Sequence, residues 1–294
     1  MATPDVQLAC VWPLGAVVGE GALWDEEKQA LYFVDIKAPA VHRFVPATGA
    51  RRSWPMPERI GCLARRRVHG GFVAGFKSGF AFVDLETGRI ERIGTPEPDR
   101  PGNRFNDGTC DPSGNFWAGT MDDDERAATG WLYRLDPQRH WTRTDGAYVC
   151  TNGPAFTADG RLMYHVDTFA RTVHALEIGA DGLPVSKRAH IRFSADEGYP
   201  DGMTVDADGF LWVCHWGGWR VTRFRPDGRV DRSIRLPVAQ VTRCAFGGPD
   251  FKTLCITSAA IGIGEAERGK QPLAGGLFAC EPGMRGLPAQ RYAG

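Results

Sequence analysis

One short pattern recurs along this chain and constrains its fold more than any other feature. When Glu20 is aligned with Asn106, Asn152 and Asp201, the residues five places on are Asp25, Asp111, Thr157 and Asp206, each opening a polar turn. In the last three units a glycine follows at the eighth place (Gly114, Gly160, Gly209), and then a bulky run: "FWAGT", "RLMYHVDT", "FLWVCHW". The first unit reaches its equivalent, "LYFVDI", after a slightly longer turn, and weaker copies begin at Cys62 and Thr242. Each unit continues through a third run and another turn, as in "VHRFVPATG" and "VTRFRPDG". The starting points 20, 62, 106, 152, 201 and 242 are separated by 42, 44, 46, 49 and 41 residues. Repeats of that length, built from three or four short strands, stack as blades around an axis. The expectation is an all-β, six-bladed β-propeller forming a single domain over residues 1–294. The segments "VQLACVWPL" and "GGLFACEP" are left to pair in one blade and close the ring.

Composition agrees and removes several function classes. The 37 glycines and 20 prolines suit many turns, and few convincing helical stretches exist. Lys+Arg and Asp+Glu are equal at 35 each, so no global field favours nucleic acid or an anionic membrane surface. The run Arg65-Arg66-Arg67 reads as a solvated loop. The opening "MATPDVQLACVWPLG" has neither a basic region nor a long apolar one, and no stretch approaches the ~20 apolar residues of a membrane span. A cytoplasmic protein is expected, a monomer or weak homo-oligomer. The eight cysteines are scattered without a C-x-x-C pair and sit mostly in apolar runs, as reduced core residues would.

The repeat also locates the candidate site. The first strand of each blade lines the central channel, so equivalent offsets in different blades converge on one axis. Glu20, Asn106, Asn152 and Asp201 share such an offset. Polar residues beside turn glycines often only cap strand ends; four at one register point instead to a shared site. Two carboxylates there repel and lose hydration unless a cation or a proton compensates them, and a divalent metal in the channel does so economically. Oxygen donors suit a hard ion such as Ca²⁺, Mg²⁺ or Mn²⁺ and argue against a structural zinc site.

The motifs "GEGALWD", "NRFNDGTCDPSGNFWAGTM", "TNGPAFTADGRLMYHVDT", "YPDGMTVDADGFLWVCHWGG" and "FGGPDFKTLCITS" together resemble the SMP-30/gluconolactonase family, which includes regucalcin and bacterial sugar-acid lactonases. They follow one another over almost the whole chain. The resemblance implies a six-bladed propeller holding one divalent metal and hydrolysing aldonolactones of pentonic or hexonic acids. It implies Glu20, Asn152 and Asp201 as metal ligands, and Arg104 and Asn106 as the substrate-binding pair. Asp123 falls where relatives carry an acid that contacts sugar hydroxyls, with its register within Asp122–Glu125 left open. The metal's identity stays open too, since relatives are described with calcium, zinc, manganese or iron(II).

These residue types suit ester chemistry. Opening a lactone places negative charge on the former carbonyl oxygen, which a metal with open positions stabilises. Asp201 is the expected base or orienting group for the attacking water, and Arg104 offers a planar fork of donors. No G-x-S-x-G elbow is present. His165 and His215, at nearly one offset in adjacent blades, are expected to be satisfied second-strand core residues, and Trp216 and Trp219 in "HWGGW" to approach the channel mouth. Two other classes compete: a calcium-binding regulatory or non-catalytic propeller of regucalcin type, and a hydrolase of phosphotriesters or other esters.

Overall fold

Short runs of apolar and aromatic residues between glycine-centred turns form 24 strands, which pair into six four-stranded antiparallel sheets in the computed structural model, where residues 6–294 are described. The first strand, β1 (Ala9–Trp12), is set apart from the strands that follow it in sequence. Blade one is β2 (Gly19–Asp25), β3 (Ala30–Asp35), β4 (Ala40–Val45) and β5 (Ala50–Pro55). Blade two holds β6 (Ile60–Arg65), β7 (Phe72–Phe76), β8 (Gly79–Val83) and β9 (Ile90–Gly94). Blade three holds β10 (Asn103–Cys110), β11 (Phe116–Asp122), β12 (Gly130–Leu135) and β13 (Trp141–Tyr148). Blade four holds β14 (Thr151–Phe156), β15 (Leu162–Asp167), β16 (Thr172–Ile178) and β17 (Pro184–Arg192). Blade five holds β18 (Tyr199–Val205), β19 (Leu211–Trp216), β20 (Arg220–Phe224) and β21 (Val230–Arg235). Blade six comprises β22 (Val241–Gly247), β23 (Thr253–Ser258) and β24 (Leu277–Cys280), and β1 adds to its outer edge. The ring is therefore closed by the N-terminal strand pairing beside the C-terminal one, as the unmatched end segments predict. Closure this way leaves no blade short of a strand.

The first strands of neighbouring blades touch all the way round, β2 to β6, β10, β14, β18, β22 and back to β2. Each blade is apolar on both faces of its inner strands, so β2 and β3 are buried at every position while the outer β5 is largely exposed. Six hydrophobic clusters occupy the six spaces between adjacent sheets, the smallest being Trp117, Leu132, Met163 and Leu176 between blades three and four. The repeated turn aspartate has a structural task. Asp111 accepts the Trp117 indole N–H at 2.8 Å, and Asp206 accepts that of Trp212 at 2.9 Å, fixing the large ring that follows each turn.

After β24 the chain crosses the far face of the ring. Gly286 bridges to Asp206 of blade five, and Tyr292 bridges to Arg66 beyond β6. The Tyr292 ring is wholly buried against Phe82, and its hydroxyl donates to the Asp136 carbonyl at 2.6 Å. Among the described residues there is one short α-helix, α1 (Glu265–Arg268), and one 3-10 turn, Ala195–Glu197. Among the described residues no helix is long and apolar enough to cross a membrane.

Candidate metal and substrate site

Every inner strand carries one extra residue relative to its partner, always near its start. In β2 the pairing jumps from Glu20–Val34 to Leu23–Tyr32, and in β14 from Asn152–Val166 to Ala155–Tyr164. Between Phe105 and Gly108 of β10, and between Pro200 and Met203 of β18, the same irregularity contains Asn106 and Asp201. A bulge twists the strand and re-aims the side chains at it. The glycines flanking Glu20 follow from this: Gly21 sits at φ +62°, a left-handed conformation that costs a side-chain-bearing residue strain, and its N–H donates to Glu20 Oε2 at 2.8 Å. Gly153, at φ +79°, plays the same part after Asn152.

The four side chains come together in one cavity of about 480 Å³ at the end of the channel where the inner strands begin. Its polar wall is Glu20, Arg104, Asn106, Asn152 and Asp201, with Lys37 and Glu125 at the mouth. Facing it are Phe169, Tyr199 and Trp216. Trp219 is not among the lining residues. Blades two and six offer no comparable donor: Cys62 is buried, and Thr242 donates its hydroxyl to the Gly19 carbonyl at 2.6 Å.

A connected polar chain holds the wall. The Arg104 Nε donates to Asp123 at 2.8 Å and its Nη1 to Asn106 Oδ1 at 2.7 Å. Asn106 Nδ2 then donates to the Thr151 carbonyl at 2.7 Å and to Asn152 Oδ1 at 3.0 Å. Asn152 Nδ2 donates to Thr168 Oγ1 at 2.9 Å. Asn106 thus ties the guanidinium to Asn152, with both its amide atoms engaged by protein. Asp123 lies behind Arg104 rather than on the cavity wall, and its partners are cations: Lys37 at 2.9 Å, Arg104, Arg59, and Lys77 at 3.7 Å.

Glu20 and Asp201 are buried, and burial is the main cause that raises both carboxyls. Glu20 is pushed up to about 8, with the neighbouring Asp107 adding to the effect; Asp201 is raised well above the usual range by burial and by Glu20. Two buried carboxyls this close both ionise only when a positive charge compensates them. The donor set of two carboxylate groups and the Asn152 amide oxygen fits a hard divalent ion. Among the described residues no three His, Cys, Asp or Glu side chains gather in metal-binding range, because this set reaches its third donor through an amide.

Two residues essential to this electrostatics were not evident from the repeat. Asp107 and Arg243 lie one position deeper than the shared offset and pair with each other under the cavity. Asp107 also accepts the N–H groups of Gly108 at 2.7 Å and Gly153 at 2.8 Å. Arg243 lowers the Glu20 and Asp201 carboxyls that Asp107 raises. The available signal was the bulge itself, which turns two successive residues inward instead of one. His215 is buried beside the Glu197 carbonyl, 2.8 Å from Nδ1. His165 is fully buried but departs from expectation, since neither ring nitrogen has a hydrogen-bond partner. Neither histidine lines the cavity.

A six-bladed propeller with an oxygen-rich pocket on its axis defines the class of protein, and comparison with known sequences defines the family. Residues 18–260 match the SMP-30/Gluconolactonase/LRE-like region, and the chain belongs to that family. It is 33% identical to regucalcin of Xenopus laevis over 298 residues, 99% of either chain. It is 35% identical to the L-arabinolactonase of Azospirillum brasilense over 280 residues, 94% of this chain and 92% of that one. The solved structure of the calcium-binding protein regucalcin from Agrobacterium tumefaciens superposes with a TM-score of 0.92 at 27% identity, covering 98% of this chain and 97% of the other.

Proposed function

We propose that this protein is a metal-dependent lactonase that hydrolyses an aldonolactone of a pentonic or hexonic acid to the sugar acid. The observation that carries the reading is the buried Glu20–Asp201 pair set opposite the Arg104 guanidinium in one cavity. Glu20, Asn152 and Asp201 are the residues that would hold the cation. When bound, the cation supplies Lewis acidity at the lactone carbonyl and compensates the two carboxylates. Asp201 orients the attacking water and accepts its proton. As the water oxygen bonds to the carbonyl carbon the ring C–O bond breaks, and the proton passes to the departing ring oxygen. Arg104 Nη2 makes no hydrogen bond to the described residues, which leaves it as a donor to the lactone. Asn106 keeps Arg104 and Asn152 in register, and Asp123 acts through Arg104.

A calcium-binding protein without catalysis accounts for the oxygen donors but gives no use to a guanidinium held beside them by Asp123 and Asn106. All eight cysteines are free, which supports a reducing, cytoplasmic setting. The test is acid release from xylono-, arabino-, galactono- and gluconolactones, corrected for spontaneous opening, with and without chelator. Chelation should abolish the enzymatic rate and a divalent cation restore it. Equal turnover of a plain ester or an unhydroxylated lactone would overturn the substrate assignment.

A further inference from the structure

The cavity is electrically two-ended. Glu20 and Asp201 line its inner end with the Asp107–Arg243 pair beneath them, whereas its rim gathers Lys37, Arg59, Lys77 and Arg104 around the single carboxylate of Asp123. Both Asp123 oxygens are spoken for: Oδ1 takes Lys37 and Arg104, and Oδ2 takes Arg59 and Lys77. One negative charge cannot balance four positive ones. The nearby acids offset this charge only in part, Glu125 and Asp124 acting on Lys37 and Glu125 on Arg104. Asp122 accepts backbone N–H groups of its own turn from Arg126 and Ala127, and Asp124 faces Arg126 at 3.9 Å. That leaves Glu125, exposed at the mouth on a turn with φ +58°. With Arg104 Nη2 given to the lactone, Lys37 is the remaining cation of this group that lines the cavity and keeps donors to spare, since an ammonium carries three and its hydrogen bonds go only to the Asp123 carboxylate and, at 3.4 Å, to its carbonyl. Its side chain is 21% exposed, so its charge is partly desolvated among other cations. Burial is the main cause that lowers its pKa and the neighbouring Arg104 and Arg59 add to it, while Glu125 and Asp124 oppose the shift without cancelling it.

We propose that Lys37 forms an anion subsite at the cationic rim, and that the lactone taken by this protein carries a second, negatively charged group at the end away from its carbonyl. The inference rests on the lactonase reading and specifies its substrate. The carbonyl end lies toward Glu20, Asn152 and Asp201, and a phosphate, sulfonate or carboxylate at the other end meets the cationic rim. Such a group supplies the counter-charge that the rim lacks.

Two measurements test this separately from catalysis. Calorimetric titration of the wild-type protein with gluconate and with 6-phosphogluconate reads the subsite without turnover. Tighter binding of 6-phosphogluconate by about tenfold or more, weakening as salt is raised, is the expected result. Lys37→Met should erase most of that preference and Lys37→Arg keep it. Equal affinity, no binding of either acid, or a preference that survives Lys37→Met overturns the proposal. The kinetic arm compares kcat/KM for gluconolactone, 6-phosphogluconolactone and a glucaric acid lactone. A higher value for both charged lactones supports a general anion subsite; preference for one alone identifies the group. A protein that binds the phosphorylated acid selectively but opens no lactone would keep the subsite and sink the lactonase reading.

Discussion

The same six inner strands build both ends of the axial channel, yet the two ends are finished in opposite ways. Where the strands begin, bulges turn Glu20, Asn106, Asn152 and Asp201 into an open cavity of about 480 Å³ whose carboxylates repel one another. Where they end, a pocket of about 100 Å³ is lined by Pro112, Pro154 and Phe156 and closed over by the tail residues 287–290. Backbone bonds seal that closure, from Gly286 N to the Phe251 carbonyl at 2.8 Å and from Ala293 N to the Gly114 carbonyl at 2.9 Å. Asp107 and Arg243 separate the two regions. One end therefore stores electrostatic cost where a ligand can relieve it, and the other is sealed by the tail and contributes stability.

The largest expected effect falls at the open end. Asp201→Ala should lower turnover by about a thousandfold or more, because it removes both an anionic donor and the proton acceptor. Thermal unfolding of the metal-free variant should be no earlier than that of the metal-free wild type, since a buried carboxylate repelling Glu20 is gone. Near wild-type metal content and turnover in purified Asp201→Ala would refute the ligand assignment.

Arg104→Ala should cost about a hundredfold in kcat/KM. A fall in kcat would place the guanidinium on the developing oxyanion; a rise in KM alone would place it on a substrate hydroxyl. Unchanged kinetics would remove Arg104 from the site altogether.

At the closed end the expectation reverses. Tyr292→Ala empties a wholly buried ring site beside Phe82 and leaves the Asp136 carbonyl without its donor, a loss of about 3 kcal/mol of stability. Its kcat/KM at 25 °C should match wild type. Denaturant unfolding and the lactone assay on one preparation decide it: loss of activity without loss of stability would show that the two ends are coupled.

How much of this was legible in the sequence depends on period. The blades, the closure by β1 and the convergence of Glu20, Asn106, Asn152 and Asp201 follow from a spacing that repeats, and repetition survives errors of a residue or two. Lys37 occurs once, without a counterpart at its offset, and Asp107 and Arg243 share an offset that carries Gly21, Leu63, Gly153 and Gly202 in the other blades, so the alignment marks no polar position there. Asp123 illustrates the limit: "GTM" located the acidic run, but which acid of Asp122 to Glu125 approaches the site, and whether it faces the cavity or lies behind Arg104, depends on the turn that carries them, and turn geometry is not periodic. The tail was invisible for a different reason. Tyr292 stands in a polar stretch with no strand pattern, and its burial comes from what the ring of blades offers it.

The smallest expected effect lies outside the channel, at His165, where sequence anticipated a satisfied core residue. Burial pushes its pKa down to about 3 from an ordinary 6.5; Asp145 opposes the shift only in part, and neither ring nitrogen has a hydrogen-bond partner. In the folded protein the ring stays neutral from neutral pH down to about 3, whereas in the unfolded chain it takes up a proton below 6.5. Between those values the unfolded state binds more protons, so stability is fully present above pH 6.5 and falls as the pH drops toward 3. Over the interval from pH 6.5 to 5 this one ring accounts for a loss of about 2 kcal/mol at most. His215, lowered to about 4 chiefly by burial, acts in the same direction. The ring of His165 packs against Tyr148 with centroids 5.0 Å apart, a site that a phenyl ring suits. His165→Phe should therefore flatten the decline in denaturation midpoint between pH 7 and 5 while leaving lactone turnover at pH 7 unchanged. A variant whose stability falls with acid as steeply as wild type would mean that the loss comes from other groups, and that His165 gains a partner on protonation which the neutral ring lacks.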